Sequence, residues 1–284
     1  MEEATHKLRE LIGNLKALRD RLTELRHSLE LSVPQAVPRL DLSLFFVNRA
    51  LSSLEAAATP QGLKLVVQTP GETMDIEVES DLLELNKRIA EENRKYLDQM
   101  GVLAIDIMGS LGAGKTTLIE ALVRSLKEKY RIAVITGDVS TSIDAERILK
   151  LGVKALQVNT GKECHLDAHL IRRALQALDL RGVDILLIEN VGNLICPADF
   201  PLGAHKRVVV ISVSEGSDMV IKHPSSFKEV DVVVINKVDV AKDFDVDPSL
   251  IARDVEKVNP KAKVVYTSAK TGLGINKLIE ALEL

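Results

Sequence analysis

Leucines near the start of the chain recur in a heptad rhythm: Leu11, Leu15, Leu18, Leu22, Leu25 and Leu29 follow in steps of 4, 3, 4, 3 and 4. Charged residues such as Arg9, Lys16, Arg19, Asp20, Glu24 and Arg26 lie between them, which predicts an amphipathic helix. Pro34 and Pro38 then interrupt it, and a second stripe follows at Leu44, Val47, Leu51 and Leu54. The two stripes are read as a helical hairpin, with a coiled coil to a second subunit or a partner as the alternative. The stripe is near the lower limit of about three heptads for a coiled coil, which favours the hairpin. Beyond Pro60, alternation at Leu63, Leu65 and Val67 faces Met74, Ile76 and Val78 across Thr69-Pro70-Gly71-Glu72, a β-hairpin pattern. Ser80 is expected to cap a helix reaching about Met100, with Asp81 and Glu84 in its first turn. Residues 1–79 are thus expected to form a small α+β module, separate from residues 80–284.

From Val102 the pattern changes. Short aliphatic runs occur at Val102–Ile107, Ile132–Thr136, Lys154–Val158, Asp184–Ile188, Arg207–Ser212, Val232–Ile235 and Lys263–Tyr266. Helical segments lie among them, for example Lys115–Lys129, Cys164–Leu178 and Ile275–Leu282. Near-continuous apolar strands alternating with helices predict an α/β fold: a mostly parallel seven-stranded sheet covered by helices on both faces. Ligands in such sheets bind beyond the carboxyl ends of the strands.

Composition narrows the function. Of 284 residues, 46% are hydrophobic and 27% charged, a globular balance. The net charge of −4 disfavours nucleic-acid binding, which needs a basic footprint. The sequence holds no apolar run near the ~18 residues of a membrane span. Its acidic start, Met1-Glu2-Glu3, does not resemble a signal peptide, so a soluble cytoplasmic protein without membrane partners is expected. Two cysteines, Cys164 and Cys196, do not make a disulfide framework in such a protein.

The first strand of the sheet runs into Gly109-Ser110-Leu111-Gly112-Ala113-Gly114-Lys115-Thr116, which fits G-x-x-x-x-G-K-[ST] after a strand and before a helix. Gly109, Gly112, Ala113 and Gly114 would let backbone N–H groups wrap a polyphosphate at a helix N-terminus. Lys115 would reach the β- and γ-phosphates, Thr116 would ligate Mg²⁺, and Thr117 continues the nucleotide contacts. Asn236-Lys237-Val238-Asp239 follows the sixth strand of this sheet. A carboxylate at Asp239 accepts both N1–H and the exocyclic amine of guanine, a match adenine lacks. Lys237 would lie across the base and Asn236 would tie the loops together. Ser268-Ala269-Lys270, after the seventh strand, resembles the S-A-K element of GTPases, so GTP is expected.

Mg²⁺ and the γ-phosphate call for carboxylates, and Asp138, Asp144 and Glu189 are the candidates. Glu189-Asn190-Val191-Gly192 sits where many GTPases place D-x-x-G, and Gly192 would present its N–H to the γ-phosphate. Lys115, Asp144, Glu189 and Gly192 are the expected catalytic set. Cys164 and His165 are adjacent, His169 lies four residues after His165, and Cys196 lies seven after Glu189. Thiolates and imidazoles suit Ni²⁺ or Zn²⁺, although buried structural cysteines would look the same in sequence. A symmetric dimer would double the ligand set.

Glu163-Cys164-His165-Leu166-Asp167-Ala168-His169 and Glu189-Asn190-Val191-Gly192-Asn193-Leu194-Ile195-Cys196-Pro197-Ala198 resemble the hydrogenase nickel-incorporation GTPases, the HypB family. The similarity covers roughly residues 80–284. It implies a slow P-loop GTPase of the branch containing the signal recognition particle and the nitrogenase iron protein, dimerising with GTP. It also implies help in delivering nickel to the [NiFe]-hydrogenase large subunit, alongside the small zinc-containing partner HypA. The implied Ni²⁺ or Zn²⁺ site uses Cys164, His165 and Cys196 at the dimer interface, with His169 as an additional ligand. Lys222 is the match for a lysine that family members place near the opposing subunit's nucleotide.

Two departures stand out. No cysteine precedes Cys164, and only His6 and His27 occur before it, so neither an N-terminal nickel-binding cysteine motif nor a histidine-rich store is present. Residues 1–79 match no pattern of known role. The alternatives are a urease-type nickel accessory GTPase, disfavoured because Cys164-His165-Leu166 stands where C-P-H would be, or a regulatory or scaffold G protein with structural cysteines. Because Cys196 follows Glu189 and Gly192 so closely, hydrolysis is expected to move segment 189–196 and alter metal coordination.

Overall fold

The computed structural model describes residues 2–29, 47, 64–69, 72–138, 143–161 and 164–284. The chain divides into two compact units, Met1–Leu82 and Leu83–Leu284. In the first, the leucine rhythm folds as one helix, α1 (Glu2–Leu29), along which Leu11, Leu18 and Leu25 are exposed. The second expected stripe, apart from the helical Val47, lies outside the described residues. Strands β1 (Lys64–Thr69) and β2 (Glu72–Glu77) pair antiparallel from Lys64↔Glu77 to Thr69↔Glu72, the expected hairpin. Helix α2 (Val78–Met100) begins two residues before Ser80 and takes Val78 out of the strand pattern.

The second unit is built on strands whose two faces are both covered. These are β3 (Leu103–Gly109), β4 (Ile132–Asp138), β5 (Lys154–Asn159), β6 (Ile185–Glu189), β7 (Lys206–Ser212), β8 (Val232–Asn236) and β9 (Lys263–Tyr266). They form one sheet in the order β5-β4-β6-β3-β7-β8-β9, and every neighbouring pair is parallel. Side chains alternate between faces along a strand. Ile185 and Leu187 therefore pack with α3 (Lys115–Leu126) through Leu118, Ile119 and Leu122. Leu186 and Ile188 face the other way, toward Leu97 of α2 and Ile171 of another helix. Two-sided burial is why these runs read as continuous apolar stretches rather than alternating ones.

The helices between strands follow local signals. Helix α4 (Ile143–Leu149) lies after β4 and opens with Asp144 in its first turn. Helix α5 (Ala168–Ala177) starts later than the expected Cys164, because Asp167 is its cap: its carboxylate accepts from Leu170 N–H at 2.7 Å. Leu166 is meanwhile fully buried against Gly137, where an added Cβ would meet it at 2.8 Å. The short α6 (Cys196–Asp199) follows β6; α7 (Met219–Lys222) and α8 (Ser225–Lys228) follow β7; α9 (Pro248–Val258) precedes β9; and α10 (Ile275–Leu282) ends the chain. Among the described residues, no helix is long and apolar enough to cross a membrane. Because all seven strands run the same way, Gly109, Asp138, Glu189, Ser212 and Asn236 stand at one edge of the sheet.

Candidate functional site

The loop between β3 and α3 is shaped by its glycines, two of which, Gly109 and Gly114, leave no room for a Cβ. A Cβ on Gly109 would overlap the carbonyl oxygen of Val210 on the neighbouring strand. Gly114 has φ 97 and caps α3 without any side-chain hydrogen bond, so N–H groups of the first turn are not met by a capping side chain. With no acidic residue in that turn, the positive end of the helix dipole faces the loop. Such a cradle suits a polyphosphate. Ala113, buried at its centre, is clasped from outside: Asn236 Nδ2 donates to its carbonyl at 2.9 Å.

Lys115 folds back over the loop, donating to the carbonyls of Gly109 at 3.0 Å and Ser110 at 3.1 Å. Burial pushes its ammonium below the ordinary lysine value, while the carboxylates of Glu189, Asp144, Glu215 and Asp138 push it back up. The three expected acidic residues thus converge electrostatically on the loop lysine. Thr116 Oγ1 donates to Glu189 Oε1 at 2.6 Å, whereas Glu189 Oε2 is buried without a hydrogen-bond partner. A hydroxyl and a carboxylate with one unsatisfied oxygen are hard donors of the kind Mg²⁺ takes. Asp144 lies 3.5 Å from Arg147, whose Nη2 also approaches Thr117 Oγ1 at 3.4 Å. Gly192 is held against the loop: an added Cβ would meet Leu111 Cα at 3.2 Å, and Asn193 bridges to Gly109.

Glu215 was not legible as a site residue. Ser110 Oγ donates to Glu215 Oε2, and Glu215 Oε1 accepts from Ser212 N–H at 2.9 Å within a capping box. The string Ser212-Val213-Ser214-Glu215 carries the S-x-x-E signature of that turn, but not its closeness to Ser110. Burial raises the Glu215 carboxyl above its ordinary value.

Burial raises Glu189 further, up to about 7, against the opposing effects of the Thr116 hydrogen bond and Lys115. The folded chain therefore holds this proton more tightly than the unfolded chain does. The stability this group contributes is complete below the ordinary value of 4.5 and is lost as the pH rises through about 7. The shift corresponds to about 3 kcal/mol. With nucleotide and Mg²⁺ stripped by a chelator, the wild type is expected to lose stability between about pH 5 and 8. Glu189→Gln should lose less stability over the same range, because only the other raised carboxyls, such as Glu215, still titrate there. Denaturant unfolding checks this, and parallel pH profiles for the two proteins would refute it.

The loops after β8 and β9 meet at Asn236. Its Oδ1 accepts from Thr267 Oγ1 and from Ala269 N–H, both at 3.0 Å, while its amide holds the phosphate loop. Lys237 adopts φ 61, unusual for a side-chain-bearing residue, and donates to Ser214 Oγ at 3.2 Å. Asp239 and Lys270 are exposed nearby in sequence, and Ser268 is buried. Lys222 stands apart on α7, exposed, with its ammonium 3.5 Å from Asp218.

Cys164 and His165 leave β5 in a bend, and Cys196 begins α6 beyond β6. Cys164 Sγ lies 2.9 Å from Cys196 Sγ and 3.9 Å from His165 Nδ1. The ligand atoms of these three half-buried residues all lie within 4.8 Å of one another. The His165 ring is backed by Phe200, with ring centroids 4.0 Å apart. His169 is not brought into this group. Because α5 begins only at Ala168, the four-residue helical spacing from His165 does not apply, and His169 is exposed in the first turn. Two thiols and an imidazole suit Ni²⁺ or Zn²⁺ and leave coordination short of four.

A family model described as "CobW/HypB/UreG, nucleotide-binding domain" matches residues 103–266. The probable hydrogenase maturation factor HypB of Methanocaldococcus jannaschii is 52% identical over 208 residues, covering 73% of this chain and 94% of that protein. The hydrogenase maturation factor HypB of Rhizobium leguminosarum bv. viciae is 41% identical over 220 residues, covering 77% of this chain and 74% of that protein. The crystal structure of HypB from Archaeoglobus fulgidus aligns with TM-score 0.66 and 46% identity, covering 70% of this chain and 98% of that one. A HypB from Helicobacter pylori solved in complex with nickel aligns with TM-score 0.66 and 37% identity, covering 70% of this chain and 93% of that one. With a P-loop sheet, a two-cysteine cluster and relatives matched over 74% to 98% of their own length, the chain belongs to the HypB hydrogenase maturation factors of the CobW/HypB/UreG nucleotide-binding family.

Proposed function

We propose that this chain is a Mg²⁺-dependent GTPase that carries nickel toward the [NiFe]-hydrogenase large subunit, with HypA as its small partner, in the cytoplasm. The observation that carries the reading is the meeting of Cys164, His165 and Cys196 within 4.8 Å, on segments that leave the sheet beside the nucleotide residues. Thr116 and Glu189 would hold Mg²⁺, which supplies charge neutralisation at the phosphates. Lys115 and the first-turn N–H groups of α3 bind and orient the polyphosphate, and Gly192 would present its N–H to the terminal phosphate. Asp239 reads the guanine edge, framed by Lys237 and Ser268-Ala269-Lys270.

Nickel is cargo in this scheme. Three ligands per chain favour completion by a second copy, so a GTP-favoured homodimer would join two clusters, with Lys222 reaching across. The Helicobacter pylori relative solved with nickel supports the metal, and the soft donor set would also take Zn²⁺. Residues 1–79 act as a separate module in this reading.

Nickel titration of the full chain tests it. Cys164→Ala and Cys196→Ala are each expected to weaken Ni²⁺ binding by at least about tenfold while leaving GTP hydrolysis intact. Unaltered nickel affinity would remove the cluster as the site, and unfolding of both variants would make the cysteines structural.

A further inference from the structure

A largely buried polar chain links the backbone next to the two cysteine-bearing segments. Asn190, fully buried and next to Glu189, accepts at Oδ1 from Leu166 N–H at 3.0 Å and donates from Nδ2 to Asp106 Oδ1 at 3.2 Å. Asp106 lies within β3 with no solvent exposure, and its Oδ2 stands 3.6 Å from Arg207 Nε. Arg207 Nη2 donates onward to the carbonyl of Pro197 at 2.8 Å. Leu166 is the residue after His165, and Pro197 is the residue after Cys196. One side-chain relay therefore touches the backbone beside each half of the cluster, and Asn190, at one end of it, adjoins the carboxylate that holds Thr116.

Stability does not account for this arrangement. A buried ion pair seldom outweighs its desolvation, and apolar residues of similar volume serve as well or better. Asp106 Oδ2 and Arg207 Nε also lack hydrogen-bond partners, so the pair is held short of its best geometry. An open cavity of about 530 Å³ between α2 and residues 201–204 is lined by both. What the relay does fix is geometry: it sets where the two cysteine-bearing segments sit relative to β3 and to Glu189.

We propose that Asn190, Asp106 and Arg207 are positioning residues that set the spacing of the Cys164–His165 pair from Cys196 and transmit displacement of Glu189 to it. This rests on the reading of the cluster as a nickel site.

The test is Ni²⁺ titration of the full chain, GDP-bound and bound to a non-hydrolysable GTP analogue, with Arg207→Met and Arg207→Lys. Arg207→Met should weaken Ni²⁺ binding about tenfold or more and bring the ratio of affinities in the two nucleotide states toward one. Arg207→Lys keeps Asp106 paired but loses the fork to Pro197, so it should recover only part of the loss. The thiolate-to-Ni²⁺ charge-transfer band should shift in the Met variant. Wild-type affinity and ratio in that variant overturn the proposal, as does a loss that merely follows melting temperature and GDP affinity. If Arg207→Met does not fold, Asp106→Leu with Arg207→Met removes both charges and gives the same readout. A wild type whose nickel affinity ignores Cys164→Ala overturns the nickel-site reading itself. Cysteine-dependent binding that ignores Arg207 overturns the relay alone.

Discussion

Replacing Lys115 with Ala is expected to lower GTP turnover a hundredfold to a thousandfold, the range for removing one preorganised charge from a site that stabilises developing negative charge. The structure gives a specific reason for a large effect. Lys115 is the cation on which Glu189, Asp144, Glu215 and Asp138 all act. Without it, those carboxylates would face a polyphosphate with only Mg²⁺ between them, and binding would suffer along with chemistry. The fold should tolerate the change, because burial already disfavours the charged ammonium there. Phosphate release measured beside a melting curve checks it: turnover within tenfold of wild type, in a folded protein, would refute the role given to the loop.

The sheet and the phosphate loop were legible for a shared reason: both are written in contiguous residues. Continuous aliphatic runs such as Val232–Ile235 specify a strand buried on both faces, and the glycines of 109–114 answer backbone demands within one loop. Cys164, His165 and Cys196 were legible as ligand types and fell together because their strands are parallel and share a carboxyl edge. The helix around them starts later than its apolar periodicity predicts. Apolar periodicity continues upstream of Ala168, but Leu166 is drawn into the core over Gly137 and Asp167 starts the helix by capping it. That tertiary demand removed His169 from the cluster. Glu215 and the Asn190–Asp106–Arg207 relay were illegible because their partners are distant in sequence: Asn190 and Asp106 are 84 positions apart. Nothing local marks Asp106, one polar residue inside an apolar strand, as part of that relay.

Asp239→Asn is expected to exchange the preferred base. Guanine offers two donors, N1–H and the exocyclic amine, to a carboxylate that accepts both; an asparagine amide accepts one and opposes the other with its own NH₂. Xanthine offers N1–H and a carbonyl at the second position, which the amide satisfies completely. Losing two charge-assisted hydrogen bonds costs about 3 kcal/mol or more at an exposed site, so GTP affinity should fall by at least about a hundredfold and xanthosine triphosphate should become the better substrate. The frame should survive the change, because Asn236 rather than Asp239 binds the phosphate loop to Thr267 and Ala269. The loss should therefore appear in base selectivity, with phosphate release from xanthosine triphosphate close to the wild-type rate with GTP. Competition between GTP, ATP and xanthosine triphosphate for the variant measures this. If discrimination for GTP survives undiminished, Asp239 does not read the base, and the exposed residues around Lys270 become the place to look.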